Sequence, residues 1–269
     1  MLLGREPKDF DVATNATPEQ IRSVFRNCRL IGRRFLIAHV FYHQDIIEVT
    51  TFRGHHDVED GDNLTDEGRI LRDNVYGTLE EDAWRRDFTV NALYYNIEDF
   101  SIIDYTGGVE DLKAGVLRLI GDPETRFRED PVRMLRAVRF SAKLGLKIDP
   151  ETEKKIFELG YLLGDISSSR LFEEVLKMFH AGYALQTFEM LRHYGLFAHL
   201  FPQTEKSLAC EDEAVHFPHM LLVNALKSTD QRVAEGKPVN PAFLIAALLW
   251  DPMLQKSRDY LDEDMTEIQ

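Results

Sequence analysis

The feature that most restricts the fold is a change of hydrophobic period around Gly121-Asp122-Pro123. Up to Ile120, short β-rich runs alternate with short helical segments. From Asp122 onward the apolar residues repeat at helical spacing, and no convincing strand is expected. Asp122-Pro123, Asp149-Pro150 and Asn240-Pro241 each place a capping side chain before a proline suited to the first helical position. The expected architecture is α/β (α+β): an N-terminal head with a small mixed sheet over residues 1–120, then an all-helical region.

The bulk composition, 44% hydrophobic and 29% charged, is that of a globular chain of one large or two modest domains. No apolar run is long enough to span a bilayer, so no membrane is expected. Met1-Leu2-Leu3-Gly4-Arg5 leads straight into charge, so no signal peptide is expected either. Cys28 and Cys210 do not make a disulfide framework, and no Cys/His spacing suggests zinc; a reducing, cytoplasmic setting follows as the expectation. The net charge of −14 argues by its sum against a nucleic-acid binder. Its distribution argues otherwise. Residues 21–44 hold no acid but carry Arg22, Arg26, Arg29, Arg33 and Arg34, which suits phosphate binding as well as a solvated basic face.

Along the head, Thr17-Pro18-Glu19-Gln20 forms a capping box for a helix to about Arg26. Strands are expected over Arg29–Arg33, Phe35–Tyr42 and Ile46–Phe52, the second apolar on both faces as a central strand would be. Glu48 interrupts the third; it faces either a polar site or solvent, and solvent is the favoured reading. Residues 54–71 read as a loop, where His56-Asp57 is the one pair that a dinuclear phosphohydrolase could use. A helix over residues 80–86, strands at Leu93–Ile97 and Ser101–Tyr105, a short helix holding Asp111 and a last strand at Val116–Ile120 complete the head. Further helices are expected over 149–160, 169–182, 184–194, 213–233 and 240–260, with Phe243, Leu244, Leu248 and Trp250 in the core.

Three stretches carry chemistry. In Lys8-Asp9-Phe10-Asp11-Val12, a strand would point Asp9 and Asp11 to the same side, where two carboxylates suit a hard cation such as Mg²⁺. In Arg85-Arg86-Asp87-Phe88-Thr89-Val90-Asn91, arginine forks, a third carboxylate and an amide gather where a helix meets the sheet; they suit phosphate and ribose oxygens, or a simple helix-end ion pair. From Glu129 to Phe140, Arg133, Arg136 and Arg139 recur every third residue. Met134, Leu135, Val138 and Ala142 share the apolar side of that helix, and Glu129, Arg133, Arg136 and Phe140 the other. Pro131 starts this helix or breaks it in two.

The four ordered pieces Asp9-Phe10-Asp11, Arg85–Asn91, Asp104-Tyr105-Thr106-Gly107-Gly108-Val109-Glu110-Asp111-Leu112 and Glu129–Arg136 resemble the class II nucleotidyltransferases of the polymerase β superfamily. These are the bacterial poly(A) polymerases and CCA-adding enzymes. Leu30–Val40 is similar to the stretch that marks the poly(A) polymerase branch. The resemblance implies a nucleotidyltransferase head, a helical neck at 121–200 that binds nucleotide and RNA, and a helical body from 201. It implies an enzyme of mRNA processing that adds AMP from ATP to RNA 3′ ends, with CCA addition, or a catalytically silent RNA- or nucleotide-binding fragment, as alternatives.

Residue by residue, the resemblance makes Asp9 and Asp11 ligands of two Mg²⁺ ions and Asp87 the third catalytic carboxylate. It assigns nucleotide binding to Arg86, Asn91, Asp130, Arg133, Arg136 and Arg139, and RNA binding to Arg33 and Arg34. Residues 104–112 match the flexible link between head and neck. The partners implied are ATP and an RNA 3′ end; RNA-decay proteins would be further ones, with none identifiable from the residues. Family members carry a Gly-Gly or Gly-Ser pair and an Arg before the Asp-x-Asp, and a basic tail after the body; neither is found here, so a fragment is expected.

Overall fold

The computed structural model describes residues 2–4, 10–32, 35–54, 75–209 and 218–266, with side chains as far as 260. Asp9, Arg33, Arg34, His56 and Asp57, with nearly all of the expected loop, lie outside the described residues. The chain forms two compact units, Met1–Ala114 and Gly115–Gln269.

The first unit is built on a four-stranded sheet of order β1-β4-β3-β2, comprising β1 (Val12–Thr14), β2 (Cys28–Ile31), β3 (Ile37–Tyr42) and β4 (Asp45–Thr51). It is mixed, as expected: β1 runs parallel to β4, and the other pairs are antiparallel. Helix α1 (Pro18–Val24) covers one face. Its capping box forms as the sequence dictates, with Thr17 Oγ1 accepting from Gln20 N at 3.3 Å and Gln20 Oε1 accepting from Thr17 N at 2.8 Å. Ile21 of α1 packs on Ala38, Val40 and Val49, with Cys28, Leu30 and Ile47 at the margin. Strand alternation therefore turns Arg29, His39 and Glu48 to the other face.

Helix α2 (Leu79–Arg85), a 3₁₀ turn at Thr89–Asn91, the hairpin of β5 (Leu93–Tyr95) and β6 (Ile102–Asp104), and α3 (Gly108–Ala114) complete the unit. β2, β3, β5 and β6 are shorter than expected, whereas β4 keeps the expected length one residue earlier. β1 starts at Val12, so Asp11 precedes the strand instead of lying within it.

The second unit is helical with one exception that the period missed. β7 (Val116–Leu117) does not extend to Ile120; it pairs in parallel with β8 (Lys147–Ile148). Two-residue strands carry no readable alternation, and this pairing joins residues about thirty positions apart. An Arg118–Asp149 ion pair closes its end, and Asp149 caps the following helix as expected.

The helices are α4 (Pro123–Glu129), α5 (Val132–Leu144), α6 (Pro150–Leu159), α7 (Ser168–Phe179), α8 (Ala184–His193), α9 (Leu196–Leu200), α10 (Pro202–Ala209), α11 (Pro218–Ala234) and α12 (Pro241–Thr266). Pro131 separates α4 from α5. Phe127, Leu135, Met178, Phe188 and Phe197 are fully buried, each worth about 2–3 kcal/mol of transfer free energy. In α12 the expected core splits. Leu244 and Leu248, one turn apart, are buried, whereas Phe243 and Trp250 lie 48% and 46% exposed. The last two, seven residues apart, fall on a different side of the helix from the leucines.

Candidate functional site

On the sheet face away from α1, one row crosses β4, β3 and β2. Val12 of β1 stands opposite Val49 of β4, and Asp11 lies just before this parallel pairing begins. Glu48 is registered with His39, and His39 with Arg29. His39 Nε2 lies 3.4 Å from Glu48 Oε1. Registered neighbours project from the same face, so Glu48, His39 and Arg29 lie along one line, and Asp11 immediately precedes β1 at the far edge of the sheet. Asp11 is exposed and the Glu48 side chain 45% exposed. Carboxylate oxygens with room for further oxygen ligands suit a hard divalent cation. Among the described residues no group of three His, Cys, Asp or Glu side chains is close enough to hold a metal ion.

The second sequence stretch and the third of the four ordered pieces fold into one bonded corner. Asp87 Oδ1 accepts from its neighbour Phe88 N at 2.9 Å and from Asn91 Nδ2 at 3.1 Å, which fixes both polar groups on the 3₁₀ turn. Thr89 Oγ1 donates to the buried Asp111 of α3 at 2.7 Å. Gly108 is needed there, because a Cβ would stand 2.2 Å from Thr89 O. The Asp104 carboxylate accepts from the N–H groups of Thr106, Gly107, Gly108 and Val109 at 2.9–3.0 Å, which anchors the start of α3. Burial would raise its pKa; those donors outweigh it and hold the carboxyl below the usual range.

Arg86 is engaged inside the same corner. It donates to Tyr94 Oη at 3.0 Å, Asn91 O at 3.2 Å and Asp82 Oδ2 at 3.1 Å, while Tyr94 donates to that Asp82 oxygen at 2.5 Å. Burial disfavours its charge, but Tyr94 and Asp82 outweigh burial and raise its pKa. Burial first, then the bond to Asp82, raises the Tyr94 pKa as well.

In the second unit, Asp130 sits at the break between α4 and α5. One oxygen accepts from Val132 N at 3.2 Å and the other from Arg170 of α7 at 2.7 Å. Arg133 donates to Glu129 Oε2 at 2.8 Å and to Arg126 O at 2.6 Å, and Glu129 also holds Arg126 at 3.0 Å. Arg136 and Arg139 lie by the Phe140 ring, at 5.3 and 4.6 Å from its centre. The three arginines of the regular spacing thus divide: Arg133 turns to a carboxylate, and the other two turn to an aromatic ring.

Sequence reasoning missed Glu48 as a neighbour of His39, together with the partners Asp82, Tyr94 and Arg170. The acid inside an apolar strand was a visible signal. Its meaning depended on which strand lay beside it.

Residues 1–118 match the family model described as the poly A polymerase head domain, and residues 145–208 match the one described as the probable RNA and SrmB-binding site of polymerase A. Poly(A) polymerase I of Escherichia coli O6:H1 is 53% identical over 98% of this chain. The chain belongs to the poly(A) polymerase family. It spans 57% of the length of that relative. The family borders the CCA-adding enzymes: that of Lactobacillus helveticus is 38% identical over 71% of this chain and 46% of its own length. The crystal structure of the Bacillus stearothermophilus CCA-adding enzyme in complex with CTP has the same fold, with a TM-score of 0.62 and 26% identity, over 93% of this chain and 75% of that one.

Proposed function

We propose that this chain carries the head, the neck (121–200) and the start of the body (201–269) of a Mg²⁺-dependent, template-independent RNA nucleotidyltransferase that adds AMP from ATP to RNA 3′ ends. The observation that carries this reading is the 53% identity to a poly(A) polymerase I, which runs over 98% of the chain and so through all four motifs. Identity to the CCA-adding enzyme of Lactobacillus helveticus is 38% and covers 71%.

In this reading Asp9 and Asp11 would hold two Mg²⁺ ions. When bound, the metal lowers the pKa of the RNA 3′-hydroxyl and offsets charge on the triphosphate. Asp87, oriented by Asn91 and the turn, is the further carboxylate of the head. The Asn91 amide meets ribose or phosphate oxygens, and Arg86 braces the corner that presents them. On the neck, Asp130 accepts from the adenine amine and Arg133 donates to the adjacent ring nitrogen. Arg136 and Arg139 add cationic contacts to the nucleotide, and Arg33 and Arg34 meet the RNA. Most of the rate enhancement in such a site comes from positioning and charge stabilisation.

The test is extension of a short RNA with a free 3′-hydroxyl in Mg²⁺ and each nucleoside triphosphate in turn. A run of additions from ATP, stopped by EDTA, is the expected result. Addition limited to C, C and A on tRNA would assign the CCA-adding activity instead, and no extension from ATP would overturn the reading.

A further inference from the structure

The row Glu48–His39–Arg29 runs from β4, which pairs with the strand that follows Asp11, and ends on a cation that the reading above leaves unused. We propose that Arg29 is a phosphate-binding residue for the RNA primer, and that the 3′-terminal nucleotides lie along this row. The inference rests on the transferase reading, which puts the 3′-hydroxyl at Asp11. β1, which Asp11 immediately precedes, and β2, which carries Arg29, lie three strand steps apart in the sheet order β1-β4-β3-β2, about 14 Å at the usual inter-strand spacing. A few nucleotides of extended RNA cover that length.

The chemistry along the row changes in the direction a primer needs. Asp11 and Glu48 repel phosphate unless a metal is present, so they suit only the reacting end. His39 is spaced between them and Arg29 and is held towards Glu48 at 3.4 Å. Arg29 is exposed and, among the described residues, makes no ion pair. Its guanidinium lies 5.5 Å from the centre of the Phe41 ring, so the arginine stem is steadied while its donors stay open to solvent. Residues 21–44 contain no acid that could neutralise it locally. The opposite face of the same strands is packed under α1, which leaves the row as the wettable side.

The experiment measures affinity of the protein for a short fluorescent single-stranded oligoribonucleotide across a salt series, together with KM for RNA and for ATP. Arg29→Gln keeps much of the stem over Phe41, and Arg29→Lys keeps the charge; circular dichroism checks that both fold. For Arg29→Gln the slope of log K against log salt should shrink by about 0.7, the value for one phosphate contact on a single strand. KM for RNA should rise several-fold with KM for ATP unchanged, and Arg29→Lys should retain most of the slope. An unchanged slope and RNA KM, a rise confined to the ATP KM, or a wild-type protein without affinity for the oligoribonucleotide would each overturn the proposal. AMP addition with an Arg29-independent slope retires this inference alone. An Arg29-dependent slope without AMP addition retires the transferase reading alone.

Discussion

Asp104→Ala should destabilise the first unit by about 2 kcal/mol, the upper end of the range for loss of a helix-capping side chain. The magnitude follows from the bonding: one carboxylate satisfies the N–H groups of four successive residues at 2.9–3.0 Å. A single charge-assisted hydrogen bond contributes about 1.5–3 kcal/mol, but four on one group do not add, and solvent can reach the released donors at this half-exposed site. Asp104→Asn keeps an acceptor and loses the charge, so about half the effect is expected. With a urea slope of about 2 kcal/mol per molar, Asp104→Ala should lower the midpoint by about 1 M at unchanged slope.

The pH dependence has a fixed sign. The folded-state pKa of Asp104 lies below its unfolded value, so its contribution is complete above the unfolded pKa and is lost as pH falls through the folded one. The stability gap between wild type and Asp104→Asn should therefore close below the ordinary aspartate range and stay constant above it. A midpoint for Asp104→Ala equal to wild type at neutral pH, or a gap that widens in acid, would refute the argument.

Gly108→Ala drives a Cβ to 2.2 Å from Thr89 O, so α3 must shift off the turn that orients Asp87 and Asn91. A loss of about 1–3 kcal/mol in urea unfolding and a fall in kcat for AMP addition should appear together; normal kcat in a destabilised variant would separate the turn from catalysis. Asp11→Ala should abolish AMP addition while shifting stability by less than about 0.5 kcal/mol, because the side chain is exposed; near-normal activity would remove it from the metal site. Arg133→Ala should raise KM for ATP roughly tenfold, the equivalent of one charge-assisted hydrogen bond of about 1.5 kcal/mol, and should weaken discrimination against other triphosphates. An unchanged nucleotide preference would leave Arg133 with only its bonds to Glu129 and Arg126 O.

The parts of the fold legible in the sequence were those set by local chemistry. Thr17 with Gln20, Asp122 with Pro123 and Asp149 with Pro150 mark helix starts through bonds that span three residues, and each is present. The apolar side of α5 likewise follows from spacing alone, and Met134, Leu135, Val138 and Ala142 are all buried. What escaped was set by pairing at a distance. β8 is too short to carry a period, and its partner lies about thirty residues earlier. Phe243 and Trp250 read as core by residue type, yet exposure depends on which side of α12 meets its neighbours. Glu48 is the instructive case. Alternation along its own strand said that it faced away from Ile47 and Val49, but only the register with β3 put His39 beside it.

The same distinction reconciles an acidic chain with the anionic substrate proposed for it. A net charge of −14 acts over distances at which physiological salt screens most of it, with a Debye length of about 8 Å. Within that distance a phosphate meets only its immediate neighbours, and these are sorted by position. On the sheet, acids occupy the β1–β4 end and a cation the β2 end. At the end of α4, just before α5, the acids are already bonded, Glu129 to Arg126 and Arg133, and Asp130 to Arg170. Reducing the overall negative charge by substituting acids far from these groups should therefore speed encounter with RNA at low salt more than it changes affinity at physiological salt. Equal changes in both would mean that the global charge, and not its local arrangement, governs binding.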